Sequence, residues 1–225
     1  FVPQMTAKAS GEISTRYELV DSNGIVPIRL SPKEYVRAHD FRRYLHKNLE
    51  DFITEIPDES PLASLTKKCD EKLISSSIKK WQPFDFKKTN IDKFLDSLDI
   101  DKTVGISSIE GGYKNASNRF DNFLGEGFSD YAQFRSDPSK NAASQMSPYF
   151  HFGHISTHEV FEKLVKHESW SPEQIKPNLV GRREGWWGGS LNFDSFLDEL
   201  ITWRELGYHT CVRRANYNQY SSLPE

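Results

Sequence analysis

The sequence predicts a mainly α-helical globular chain, and three observations carry that expectation. Apolar residues recur at three- and four-residue spacing through most of the second half, the signature of helices with one buried face. Hydrophobic residues make up 36% of the 225 positions and aromatic ones 13%, too many for a disordered chain and too few for a membrane protein. The strongest β signal is a single Asn-Gly pair near the N-terminus.

That pair, Asn23-Gly24, lies between two short apolar stretches in RYELVDSNGIVPIRL. Both residues tolerate positive φ, so strands are expected near residues 17–20 and 25–29, joined as a hairpin. From 32 to 56, Phe41, Leu45, Leu49, Phe52 and Ile53 fall at helical spacing. One amphipathic helix is expected there, stopped by Pro57-Asp58-Glu59-Ser60-Pro61. The stretch 62–112 is lysine-rich and weakly patterned and reads as a solvated linker with short helices. Beyond Asn115, Phe120, Phe123, Leu124, Phe128 and Tyr131 predict a helix ending near Asp137-Pro138.

Net charge is −3, so no global basic field is available to hold nucleic acid, and such a contact must come from a local patch. Cys69 and Cys211 stand too far apart for a disulfide framework or a zinc motif, which points to a reducing, cytoplasmic compartment. No run of eighteen apolar residues and no signal-peptide pattern is present, and no membrane association is expected. A chain that opens on Phe1 and stops at Pro224-Glu225 reads as a piece of a longer protein.

Several segments could carry chemistry. Ser147-Pro148 suits a helix start, with Ser147 capping free backbone N–H groups. The same hydroxyl, with Ser144 and exposed amides, could instead bind a phosphate. His151, His154 and His158 have spacings that can align metal ligands, but Gly153 and the capping-box form of Ser156-Thr157-His158-Glu159 separate them, and no metal site is expected.

In FDSFLDELITWREL, an advance of about 100° per residue puts Phe193, Phe196, Leu197, Leu200 and Ile201 on one arc, with Arg204 near its middle. A guanidinium on a core-facing arc must reach the surface along its stem or meet an anion. That anion could be one of the chain's own carboxylates or a ligand phosphate held by the arginine fork. Glu199 and Trp203 share a second face, where a carboxylate beside an indole could hydrogen-bond and stack a planar heterocycle, or Trp203 could simply cover a neighbouring helix. Asp194, Asp198 and Glu205 lie together on the remaining side and read as solvated. In the loop 181–189, Arg182 and Arg183 accompany Trp186 and Trp187, a combination that fits either a nucleic-acid contact or a loop tethered to the core.

Taken in order, SQMSPYFHFGHIS, FLDELITWREL and YNQYSSLPE resemble the DNA photolyase and cryptochrome family. DSNGIVPIRL followed by FRRYL looks most like the class II cyclobutane pyrimidine dimer photolyases and their bacterial relatives. The resemblance implies the end of an N-terminal α/β, Rossmann-like domain over 1–30, a connector over 31–112, and the first part of an all-helical FAD-binding domain over 113–225. It implies FAD contacts from Tyr131, Ala143, Ser144, Gln145, Met146, Ser147, Phe196 and Arg204, so that one pyrophosphate would answer both the hydroxyl-rich segment and the core-facing arginine. It implies Glu199 and Trp203 as catalytic residues at the flipped pyrimidines, and DNA contacts from Arg135, Arg182, Arg183, Glu199 and Trp203.

The activity implied is a carbon–carbon lyase reaction: light-driven repair of cyclobutane pyrimidine dimers in DNA by electron transfer from reduced FAD, in a monomer that could carry an antenna chromophore. The alternatives are a cryptochrome-like flavin photoreceptor without repair, and a flavin-free nucleic-acid-binding or structural remnant.

Overall fold

The structure, a computed structural model, describes residues 3–64, 71–80 and 84–223. Cys69 lies outside them. The described residues divide into two compact units, one drawn from 1–57 and 111–225 and the other from 58–110. No strand forms among the described residues.

In the smaller unit, the helices are α4 (Glu71–Lys80) and α5 (Ile91–Ser97). The Asn90 side chain caps α5 by accepting from the Lys93 N–H at 3.0 Å. Phe84 packs edge-on against Phe86 and Phe94, with centroids 4.7 and 4.9 Å away. All three rings remain partly exposed, as expected of the solvated stretch read from sequence.

The larger unit begins with α1 (Pro3–Glu12), then α2 (Ala38–Asn48) and α3 (Glu50–Thr54). The single helix expected over 32–56 is thus two helices that meet at Leu49, and its first six residues are not helical. Phe41, Leu45, Leu49 and Ile53 are buried as their spacing requires.

The hairpin is overturned. The stretch 17–20 is exposed and without regular structure, and a 3₁₀ turn runs over Ile28–Leu30. The donors a strand ladder would need are taken by carboxylates: Ile25 N–H and Val26 N–H donate to Glu205 Oε1 at 2.6 and 3.3 Å, and Ile28 N–H to Asp21 Oδ2 at 2.7 Å. Gly24 is needed there for closeness, since a Cβ would lie 2.6 Å from Glu205 Oε1. The end of an α/β domain implied for 1–30 therefore has no strand among the described residues.

The long helix expected after Asn115 is also broken. It forms α6 (Tyr113–Asn122), a π-helical turn over Phe123–Gly127, a 3₁₀ turn over Phe128–Asp130 and α7 (Tyr131–Phe134). Gly125 and Gly127 in its middle weaken α-helical continuity, and the loosened turns swing Tyr131 inward.

Next come α8 (Ser147–His151) and α9 (Thr157–Glu168). Ser156 caps α9, its hydroxyl accepting from Glu159 N–H at 3.0 Å. Ser147 does not cap α8: Met146 holds the cap position and Ser147 is the first helical residue. His151 ends α8, His154 occupies the turn after it and His158 lies in α9. The described residues contain no group of three or more His, Cys, Asp or Glu side chains that could hold a metal.

The central element is a continuous helical rod: α10 (Leu191–Leu197), a π-helical turn over Asp198–Trp203, and α11 (Arg204–Arg213). Phe193, Phe196, Leu197, Leu200 and Ile201 are all buried. Phe196 joins Phe120, Phe123 and Tyr131 in one aromatic cluster, and Phe193 joins Trp170 and Trp187 in another.

The three acids read as solvated are instead buried, Asp194 at 2%, Asp198 at 4% and Glu205 at 2% exposure. The rod is surrounded rather than lying on a surface, and a carboxylate is tolerated there only with donors aimed at it. Asp198 receives a bidentate fork from Arg42, Nε to Oδ1 at 2.7 Å and Nη2 to Oδ2 at 2.9 Å. Asp194 accepts from the Gly185 N–H, and burial raises its pKa to about 6. Burial raises Glu205 further, to about 8, against the opposing pull of the Ile25 and Val26 amides.

Candidate functional site

One side of the rod opens into a pocket of about 340 Å³, at the lower end of the range for small-molecule sites. Tyr131, Arg135, Ala143, Ser144, Gln145, Met146 and Ser147 line it from one side. Phe150 closes it, and Phe196, Glu199, Leu200 and Arg204 face it from the rod. Every residue expected to contact FAD is in this set, together with Arg135 and Glu199.

Local folding explains how each side chain arrives. Asn192, in the first turn of α10, accepts from Ala132 N–H at 2.8 Å and donates to Ser129 O at 2.8 Å, which locks α7 onto the rod. Tyr131 is thereby held edge-on to Phe123 and Phe196, at 5.6 and 5.4 Å. Burial raises its phenol pKa, against the smaller opposing effect of the Arg135 charge.

The segment 143–147 is a strap held from behind by Arg119, which donates to Ser144 O at 3.0 Å and Ala143 O at 3.5 Å. Gln145 sits in the left-handed region at φ 56°, uncommon without glycine, and its amide donates to Asn141 Oδ1 at 3.1 Å. The strap carries the Ser144 and Ser147 hydroxyls to the pocket wall.

Two arginines give the pocket its charge. Arg135 donates to Glu199 Oε1 at 2.6 Å, a half-exposed ion pair. Arg204 is sandwiched between Phe150 and Tyr208, its guanidinium carbon 4.7 and 5.0 Å from the two ring centroids. Its buried Nε has no hydrogen-bond partner in the structure, and burial lowers its pKa. An arginine held over two rings with an unanswered N–H is a ready anion ligand. Of the two partners open to Arg204 on sequence grounds, no carboxylate of the described chain takes the role.

Other expected site residues lie elsewhere. Trp203 is 49% exposed and does not line this pocket. Arg182 and Arg183 are exposed and line a separate cleft with His39, Arg42, Arg43 and Glu184. Their loop is tethered as well: Trp186 and Trp187 are buried, Trp170 Nε1 donates to Trp187 O at 2.7 Å, and Trp186 stacks on His46 at 3.7 Å. His46 Nδ1 accepts from Gly181 N–H at 3.0 Å, and burial with the nearby Arg42 charge lowers its pKa to about 3, keeping it neutral.

Sequence reasoning missed Phe150 and Arg119. The aromatic run Tyr149-Phe150-His151-Phe152 was the available signal for Phe150; Arg119 carries none, because its partners are backbone carbonyls 24 and 25 residues away.

The pocket joins an unanswered arginine, hydroxyls, aromatic rings and a paired carboxylate, groups whose chemistry suits an anionic, ring-bearing ligand. No family model matches the chain. Curated proteins do. It is 29% identical to the deoxyribodipyrimidine photo-lyase of Methanothermobacter thermautotrophicus over 219 residues, 97% of this chain and 40% of that protein. It is 27% identical to that of Arabidopsis thaliana over 204 residues, 88% of this chain and 35% of the relative, and 25% identical to that of Potorous tridactylus over 202 residues, 89% and 32%. The chain thus spans about a third to two fifths of these relatives. The chain is similar to proteins named deoxyribodipyrimidine photo-lyase over most of its own length.

Proposed function

We propose that the protein this chain belongs to is a flavin-dependent DNA photolyase that repairs cyclobutane pyrimidine dimers, and that the pocket between the strap and the rod is half of its FAD and lesion site. One observation carries the reading: Arg204, Tyr131 and Glu199, expected from the family resemblance to serve flavin and lesion, line one pocket, and Arg204 has an unanswered N–H.

The residues present fit the cofactor. Arg204, Ser144 and Ser147 supply a cation and hydroxyls for a pyrophosphate, and Tyr131, Phe150 and Phe196 supply ring surfaces. When bound and reduced, FAD supplies the electron under blue light. The chain's own residues bind, orient and exclude water. Arg135 occupies Glu199 Oε1 and orients the carboxylate, so Oε2 is the oxygen to accept an N–H from a flipped pyrimidine. Flipping costs least at a lesion that already stacks poorly. Trp203 follows Glu199 by four residues, and its indole is exposed for stacking outside the pocket lining. In this reading 1–30, 31–112 and 113–225 remain the tail of an α/β domain, a connector and the start of the FAD-binding domain.

Dimer-containing DNA irradiated with blue light in the presence of the reduced, intact protein should lose dimers beyond the dark control. A purified protein with a flavin spectrum and no dimer loss would contradict repair and favour a photoreceptor. One that carries no flavin and cannot be reconstituted with FAD would contradict both.

A further inference from the structure

The strap 143–147 stands between two cavities. The candidate pocket lies in front of it, and behind it is a hollow of about 240 Å³ lined by Arg119, Asn122, Glu126 and Asn141 among others, with Ala143 common to both. Packing from behind therefore does not hold the middle of the strap. Ala142, just before it, and Met146 are buried anchors, whereas Ala143 and Gln145 are exposed and Ser144 is half-buried. Between these anchors the strap meets α6 through Arg119, whose Nε donates to Ser144 O at 3.0 Å and whose Nη2 donates to Ala143 O at 3.5 Å.

Two consecutive carbonyls taken by one side chain fix which way the amides that follow them point. These peptides are trans, and in a trans peptide the C=O and the next N–H point in opposite directions. With the 143 and 144 carbonyls turned to Arg119, the N–H groups of Ser144 and Gln145 turn away from it, toward the face of the strap that lines the pocket. Neither N–H donates to another group among the described residues. Gln145 at φ 56° reverses the hand of the chain before Met146, at φ −82° and ψ −12°, a pairing that gathers successive amides into a concavity suited to an anion. A left-handed residue other than glycine persists only where its surroundings hold it, and the Arg119 fork grips the two peptide units next to it. A cation on the carbonyl side of a peptide also polarises it and strengthens its N–H as a donor on the other side.

We propose that Arg119 is a positioning residue for the cofactor: without touching it, the guanidinium holds the strap so that the Ser144 and Gln145 amides and the strap hydroxyls receive the pyrophosphate. Arg119 thus sets affinity through the phosphates and leaves the flavin ring to other residues. The inference rests on the FAD reading above and adds to it a residue outside the pocket lining.

The test strips flavin from the intact protein and titrates it by calorimetry with three probes: FAD, ADP, which carries a diphosphate and no flavin ring, and riboflavin, which carries the ring and no phosphate. Arg119→Ala should weaken FAD and ADP by the same factor, about tenfold or more, and leave riboflavin within about twofold, with far-UV circular dichroism unchanged. Arg119→Lys keeps the charge but not the fork and should recover part of the loss for FAD and ADP. Gln145→Val probes the same geometry at an exposed position whose left-handed backbone a β-branched residue disfavours, and it should reproduce the split between ADP and riboflavin. A riboflavin loss as large as the FAD loss would make Arg119 a structural residue and overturn the proposal, as would an ADP affinity unaffected while FAD weakens. An unsubstituted protein that takes up neither FAD nor ADP would sink the cofactor reading itself. Normal FAD affinity in Arg119→Ala would sink this inference alone.

Discussion

The two sides of the 191–213 rod treat buried charge in opposite ways. Toward α2 and the 21–30 segment, Asp198 has the Arg42 fork and Glu205 the Ile25 and Val26 amides. Toward the strap, Arg204 has two aromatic faces and an Nε with nothing to donate to. Asp198 and Glu205 have donors aimed at them from distant parts of the chain, whereas Arg204 has a buried N–H with no acceptor. Removing a satisfied partner should therefore damage stability, whereas removing Arg204 should damage binding.

The largest effect is expected at the Arg42–Asp198 pair. Arg42→Ala strands a buried carboxylate and should cost about 3–5 kcal/mol, read as a lower midpoint in denaturant unfolding. A loss below about 1 kcal/mol would erase the contrast between the two sides.

Glu205 gives a pH signature. Its folded pKa, about 8, stands above the ordinary carboxylate value of 4.5, so the folded state binds the extra proton. Its contribution is fully present below about pH 4.5 and is lost as pH rises through 8. Glu205→Gln keeps an acceptor for both amides and removes the titration. Its stability curve should fall less than that of the unsubstituted protein between pH 5 and about 8, measured by thermal melts across that window. Parallel curves would mean that Glu205 is not held protonated.

A smaller loss, about 1 kcal/mol, is expected for Ser156→Ala, which removes the α9 cap and touches neither side of the rod. Smallest is the stability effect of Arg204→Met, within about 0.5 kcal/mol, because removing the buried, unpartnered Nε offsets the loss of the two cation–π contacts and the stem still packs. A large destabilisation by this variant would make Arg204 a structural residue.

The same contrast explains what was legible in the sequence. The apolar arc of Phe193, Phe196, Leu197, Leu200 and Ile201 and the Ser156 cap depend on local spacing, and both form as read. The residues that line the pocket came from the family resemblance, with only the Ser144–Ser147 hydroxyls and the core-facing Arg204 suggested by local pattern. The fates of Asp198 and Glu205 were not legible, since their partners lie 156 and up to 180 residues away, and pattern alone treats a charge without a visible partner as solvated. The Asn23-Gly24 hairpin failed for that reason too: its donors turn to a carboxylate near the other end of the chain. The π-helical turns over Phe123–Gly127 and Asp198–Trp203 were likewise invisible to a periodicity of 3.6.

The most direct measurement compares two substitutions in the intact protein, scoring flavin retained after gel filtration and dimers repaired per absorbed photon. Glu199→Ala should keep the flavin and lose most of the repair, whereas Arg204→Ala should lose at least tenfold in flavin retention, with repair falling in proportion. Equal flavin loss in both variants, or full retention in Arg204→Ala, would contradict the division of the pocket into a cofactor side and a lesion side.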